Sequence, residues 1–333
     1  MKNPEGLMEP PKDEEQVEQA EQKEKIKSRE ELLEEARSIF HGDKYESFSR
    51  LGEALESLLD ASGEESRPGI YEEVVGRDYL LEAEKRLADE GNRDGIYLPF
   101  DELGGGDYVE LHPRGGRVGE VELFDVVGHG LDAFWPKALI MRMIELRRSS
   151  GAKPEDLFPH LDEYIASLPT DAVSGVSGLS LAEANFTTQE DGRSKLVIEL
   201  AGNIRVFTRD SGGQIEVLKM SGYPPLGYGM VEVDEKGESR RERLLHTFDL
   251  DPSTEVFLCS DGLFDIMVDV TLREDGPIFG EVIHEEFAEE KRGLSPEEFK
   301  DALVDYVRLA KTENRVTDDV TVLHLTPAPA EAA

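Results

Sequence analysis

Four short segments, far apart in the chain, each put an aspartate at the edge of an apolar strand pattern. They are Gly104-Gly105-Gly106-Asp107-Tyr108, Asp125-Val126-Val127-Gly128-His129-Gly130, Ser260-Asp261-Gly262 and Thr317-Asp318-Asp319-Val320-Thr321. Aspartate is a poor strand former and is costly to bury without a partner. Its repetition beside runs such as Val256-Phe257-Leu258-Cys259 asks for a compensating positive charge. Gathered in one place, these carboxylates would repel one another unless cations stood among them. Oxygen ligands with few histidines suit Mg²⁺ or Mn²⁺ and not zinc. The adjacent glycines allow sharp turns and close backbone approach to an ion. Taken singly, each segment reads first as a turn or a helix cap, since Asp-Gly is a common turn dipeptide and Asp a common N-cap. It is the ordered set that points to chemistry.

Composition narrows the classes. The 333 residues carry a formal net charge of -36. That charge repels nucleic-acid backbones and anionic membranes, and favours divalent cations and basic partner surfaces. No apolar run of about 18 residues is present, so no transmembrane helix is expected. Met1-Lys2-Asn3-Pro4-Glu5-Gly6 lacks the apolar stretch of a signal peptide, and a cytoplasmic protein is expected. The single cysteine, Cys259, excludes an internal disulfide and fits a reducing compartment. Within its apolar run it reads as a core residue, not a nucleophile.

The elements that must position the aspartates begin late in the chain. Residues 1–27, rich in Glu, Gln, Lys and Pro, are expected to be a disordered acidic tail. Residues 28–92 read as a helical module. Ser28 and Glu31 form a capping box ahead of Leu32, Leu33, Ala36, Ile39 and Phe40 at helical spacing. A second helix carries Tyr45, Phe48, Leu51, Leu55 and Leu58, residues 62–69 form a loop, and a third helix runs from Tyr71 to Ala88. Three short helices have little core of their own, so packing on the following domain or on a second copy in a homodimer is expected. From about Ile96 strand signals dominate: 107–112, 118–127, 179–188, 195–201, 204–209, 215–220, 244–250, 255–260 and 320–325. Helical patterns fall at 131–149, 154–167, 280–290 and 296–313. Neighbouring strands joined by short turns imply antiparallel sheets, and helices in pairs imply outer layers. The fold class is therefore α+β over residues 96–326, followed by a Pro/Ala-rich tail at 327–333. The helix at 138–146 is a packing helix, and Arg147 and Arg148 at its end suit the helix dipole or, alternatively, a substrate phosphate.

The ordered set Gly-Gly-Asp-Tyr, Asp-x-x-Gly-His-Gly, Ser-Asp-Gly and Asp-Asp-x-Thr resembles the PPM-type metal-dependent protein serine/threonine phosphatases, in their SpoIIE/RsbU-like branch. Tyr223-Pro224-Pro225-Leu226-Gly227 is similar to that branch's Pro-Leu-Gly segment, and Ala201-Gly202 to its Ala-Gly hairpin. The resemblance spans roughly residues 96–326. It implies an α-β-β-α sandwich with a binuclear centre of two Mn²⁺ or Mg²⁺ ions at one end. Carried onto this chain, Asp125 bridges both ions, the Val126 carbonyl completes one shell, and Asp261 and Asp318 bind the other ion. Asp107 supports the first ion, and Asp319 is the alternative to its neighbour Asp318. The chain departs from the branch at Asn203-Ile204, where proline-rich sequence is common, and at Asp265, near the usual place of a glutamate.

The implied reaction is hydrolysis of phosphoserine or phosphothreonine by water activated at two cations, in line with the leaving oxygen. His129 is the candidate acid for that leaving group, or else an ordering residue of its loop. The resemblance further implies a phosphorylated regulatory protein as substrate, of the STAS-type anti-anti-sigma kind. Two alternatives stand beside it: a non-enzymatic interaction protein on the same fold, and a metal-dependent phosphohydrolase of small metabolites.

Overall fold

The computed structural model describes residues 27–43, 50–62, 67–76, 95–99, 105–114, 117–127, 131–149, 157–167, 178–188, 193–228, 244–267 and 290–325, with single positions or pairs at 78–79, 81–82, 85 and 287. In chain order the strands are β1 (Gly95–Leu98), β2 (Tyr108–Arg114), β3 (Arg117–Val126), β4 (Leu179–Thr188), β5 (Ser194–Ala201), β6 (Arg205–Arg209), β7 (Ile215–Val217), β8 (Leu245–Leu250), β9 (Glu255–Cys259) and β10 (Val320–Leu325). The helices are α1 (Arg29–Phe40), α2 (Leu51–Ser62), α3 (Arg67–Val75), α4 (Leu131–Ser149), α5 (Leu157–Ser167), α6 (Asp261–Met267) and α7 (Pro296–Thr312).

The strands make two five-stranded sheets, ordered β1-β10-β9-β6-β7 and β2-β3-β4-β5-β8. Every pairing between these strands is antiparallel. Period-two alternation divides the first sheet between two cores. Val206, Val256, Leu258, Leu323 and Leu325 join the core shared with the second sheet. Their alternating neighbours Phe207, Phe257, Cys259, Val320 and Val322 pack instead with Phe299, Leu303 and Val307 of α7. Both faces of this sheet are thus covered, which is why β9 reads as an unbroken apolar run. Cys259 is fully buried, and burial raises its thiol pKa, as its reading as a core residue requires.

The second sheet packs its outer face on α4. That face carries Glu110, Glu122, Glu183 and Glu199 side by side across β2 to β5. Arg148, near the end of α4, reaches Glu110 at 2.7 Å and Glu122 at 2.5 Å. Its partners within the fold are therefore these glutamates. The other side of α4 receives the N-terminal helices. Arg142 donates to the carbonyls of Phe40 and Gly42 at the end of α1 (3.1 and 3.0 Å), and Arg29 pairs with Glu73 at 3.1 Å. A helix covered on two sides is apolar around most of its circumference, as Leu139, Ile140, Met141, Met143 and Ile144 all buried attest. The apolar residues of α1 to α3 join the same core as α4 and the second sheet. Within one chain, then, the leftover faces of the helical module are buried on α4.

Several boundaries differ from the sequence expectation. The third N-terminal helix begins earlier, at Arg67, because proline is tolerated in a first turn, and it ends at Val75 before Gly76, which takes φ 87°. β1 is too short for its alternation to stand out, and β7 stops at Val217. The turn expected after Ser260 opens into the short helix α6. The expected tails at 1–27 and 327–333 and the helix at 280–290 lie almost wholly outside the described residues.

Candidate metal centre

Antiparallel order brings particular strand ends together. Asp107 immediately precedes β2, and Asp125 is the penultimate residue of β3. Asp261 follows β9 by one residue, and Asp318 and Asp319 immediately precede β10. These positions fall at one end of the sandwich, on both sheets. The sequence-predicted aspartates are therefore brought to a common site.

Three of them are deeply buried, and Asp261 and Asp318 are half-buried. Asp107 is 0%, Asp319 1% and Asp125 5% exposed, too little for water alone to solvate a carboxylate. Burial first, and then the Asp319 charge, hold the Asp107 carboxyl well above its ordinary pKa, with Asp261 adding to the rise. Burial likewise raises Asp125, followed by the charges of Asp107, Asp261, Asp318 and Asp319. Asp261 is raised by burial and then by Asp265, and its contacts with Asn203 and the Gly262 amide offset part of this. The carboxylates thus lie within one another's field. The Thr321 and Ser260 hydroxyls stand close enough to Asp107 to ease its rise, yet neither of its oxygens has a hydrogen-bond partner. Asp261 Oδ1 also has none.

The surrounding backbone is crowded. Gly106 N donates to Asp319 Oδ2 at 2.6 Å, and Asp319 N donates to Asp318 Oδ1 at 2.8 Å. A Cβ on Gly105 would lie 2.1 Å from Asp319 Oδ1, and one on Gly106 would lie 2.5 Å from the Val126 carbonyl oxygen. Ser260 stitches β9 to β10: its amide donates to the Thr321 carbonyl (3.0 Å) and its hydroxyl accepts from Thr321 N (2.9 Å). The Tyr223–Gly227 segment flanks the same end, where Leu226 bridges to Leu179 at the start of β4, and Gly227 N donates to Asp162 at 2.6 Å.

As the side chains stand, no three of the described His, Cys, Asp or Glu side chains close on a single ion position. The donor set nevertheless fits hard divalent cations: oxygen-only, buried, mutually repelling, and with orphaned oxygens on Asp107 and Asp261. His129, with Gly128 and Gly130, lies outside the described residues, as does Gly104. The sequence reading passed over the Ser260 and Thr321 hydroxyls and the Gly106 amide. Ser260 and Thr321 lay inside the motifs, but nothing in their spacing distinguished them from ordinary strand residues.

A two-sheet antiparallel sandwich flanked by helices, with aspartates converging at one end, defines the PPM class of protein phosphatase. The chain belongs to the SpoIIE family (Stage II sporulation protein E), whose model matches residues 119–327. Its enzymatic class is accordingly that of a protein phosphatase. Similar solved structures include the SiaA-PP2C domain of Pseudomonas aeruginosa, at 18% identity and TM-score 0.46, covering 73% of this chain and 89% of that one. The RsbU and RsbW domains of a Mycobacterium tuberculosis protein are 20% identical with TM-score 0.48, over 70% of this chain and 59% of that one. The PP2C phosphatase domain of SpoIIE from Bacillus subtilis, with a fragment of its regulatory domain, is 18% identical with TM-score 0.45, over 69% and 60%. These are likenesses of low identity, and family membership rests on the sequence match. No curated protein matches the chain significantly.

Proposed function

We propose that this phosphatase removes phosphate from phosphoserine or phosphothreonine on a regulatory protein, using two Mn²⁺ or Mg²⁺ ions held by Asp107, Asp125, the Val126 carbonyl, Asp261 and Asp318. The observation that carries the reading is the convergence of these aspartates within one another's field at one end of the sandwich, with Asp107 and Asp125 deeply buried and both Asp107 oxygens lacking partners. Such ions, when bound, neutralise the site and make water acidic enough to act as a nucleophile near neutral pH. The protein's own part is positional. Asp319 braces the Gly105-Gly106 turn through the Gly106 amide, which holds Asp107 at the mouth of β2. Ser260 and Thr321 fix the β9–β10 ends that carry Asp261 and Asp318. His129, four positions after Asp125 in the sequence, is the proposed proton donor to the departing serine or threonine oxygen. The chain's acidity favours a substrate with a basic docking face, and a phosphorylated STAS-type anti-anti-sigma regulator is the class proposed.

The test compares p-nitrophenyl phosphate, a phosphopeptide and a phosphorylated STAS-type protein as substrates, with Mn²⁺ and with EDTA. Turnover of the phosphoprotein with Mn²⁺, faster than of the small ester and abolished by EDTA, is expected. Turnover of small phosphorylated metabolites only would make the chain a metabolite phosphohydrolase. Failure with every substrate in Mn²⁺ and in Mg²⁺ would leave an interaction protein.

A further inference from the structure

Asn203 sits in the turn that carries the chain from β5 of one sheet to β6 of the other. It follows Gly202, whose φ of 77° makes the turn, and whose Cβ, if present, would strike Ser180 Oγ at 2.4 Å. The Asn203 side chain uses both ends of its amide. Its Nδ2 donates to Asp261 Oδ2, and its Oδ1 accepts from Ser180 Oγ at 2.5 Å. Ser180 Oγ in turn accepts from Asn203 N at 3.4 Å. Ser180 lies directly opposite Asp125 in the β3–β4 register. A continuous path therefore runs from the strand neighbour of Asp125 on one sheet to Asp261 on the other.

We infer that Asn203 is a positioning residue that sets the Asp261 carboxylate, and with it the spacing of Asp261 from Asp125 across the two sheets. This rests on the reading of those aspartates as metal ligands. The residue type suits the task. A neutral amide donates to one carboxylate oxygen without adding charge that would repel either the aspartates or a cation. An aspartate there could not donate, and a lysine or arginine would compete with the ion. The carboxylate of Asp261, which only accepts, requires the Nδ2 end of the amide to face it, and the Ser180 hydroxyl holds the carbonyl end by donating to it. The Asp261 oxygen left without a partner, Oδ1, is the one then available to an ion. Outer partners of this kind typically change metal affinity by about 10–100-fold when removed.

The test is calorimetric titration of the full chain with Mn²⁺ alone, beside thermal unfolding of the metal-free protein. Three chains are compared: wild type, Asn203→Ala and Ser180→Ala. A dissociation constant about 10–100-fold weaker is expected for Asn203→Ala. A smaller change in the same direction is expected for Ser180→Ala, which keeps the donor but frees its anchor. A merely structural role would lower the melting temperature and leave the dissociation constant unchanged, and that result overturns the inference. Should Asn203→Ala fail to fold, Ser180→Ala decides alone, and an unaltered constant overturns it equally. Wild-type protein that binds no Mn²⁺ would overturn the metal reading, and this inference with it; wild-type binding with indifferent variants would overturn this inference only.

Discussion

Replacing Gly262 with alanine places a methyl group where the backbone of Asp319 already stands. The added Cβ would lie 2.0 Å from the Asp319 carbonyl oxygen, 2.9 Å from its carbon and 3.3 Å from Val320 Cγ2. Real Cβ contacts stay beyond 3.0 Å, so α6 and the start of β10 must part by about 1 Å. The obstacle is backbone, and no rotamer change relieves it. Overpacking of this kind costs about 1–3 kcal/mol, equivalent to roughly 2–4 °C in Tm per kcal/mol for a domain of this size. The functional cost is larger, because the displaced elements carry Asp261 on one side and Asp318 and Asp319 on the other. A misplacement of about 1 Å at reacting groups lowers turnover about 100-fold. The assay is Mn²⁺-dependent hydrolysis of p-nitrophenyl phosphate alongside a thermal melt, with Gly293→Ala as control, since nothing lies within 4 Å of its added Cβ. A Gly262→Ala chain with wild-type Tm and undiminished turnover would refute the account of how β9 and β10 are held together at the site.

Other consequences are as concrete. Burial, opposed in part by Arg148, pushes the Glu122 carboxyl from 4.5 up to about 8. The folded chain then holds that proton longer than the unfolded chain, so stability should fall as pH rises between those two values and level off above them. In urea unfolding Glu122→Gln should flatten this slope, and an unchanged slope would contradict the assignment. Arg209 and Glu255 form a buried pair at 2.5 Å beneath α7, with His324 also on Glu255 at 2.8 Å. Arg209→Met leaves that carboxylate with His324 alone and should cost up to roughly 3–5 kcal/mol, whereas adding Glu255→Gln should restore part of the loss; equal stability of the single variant and wild type would count against the pair.

Much of the fold was legible because alternation and turn residues report sheets directly. The hairpin at Ser211-Gly212-Gly213 and the capping box at Ser28 depend on neighbours in sequence, whereas the turn at Gly202-Asn203, read as a hairpin, instead passes from one sheet to the other. What escaped depends on partners distant in sequence. Arg148 read as a helix-end cation, and only the register of β2 and β3 places Glu110 and Glu122 beneath it. β1, four residues long, owes its existence to β10, which lies more than 200 positions away. At the site the aspartates were legible as a set because burying them makes sense only together. The adjacent pair was not resolved by type or spacing. In the fold Asp319 is buried against the Gly106 amide, whereas Asp318 is half-buried and turns back on the amide of Asp319. Asn203 had registered only as a missing proline, and its reach to Asp261 is visible only once both sheets are in place.

The central claim is that acidic side chains from both sheets share a pair of divalent ions. Counting bound Mn²⁺ by electron paramagnetic resonance, in the wild-type chain and in Asp125→Asn, tests it most directly. Two ions per wild-type chain, lost or halved in a folded Asp125→Asn variant, is the expected result. A wild type that leaves all added Mn²⁺ free, or a variant that binds as many ions as the parent, would contradict it.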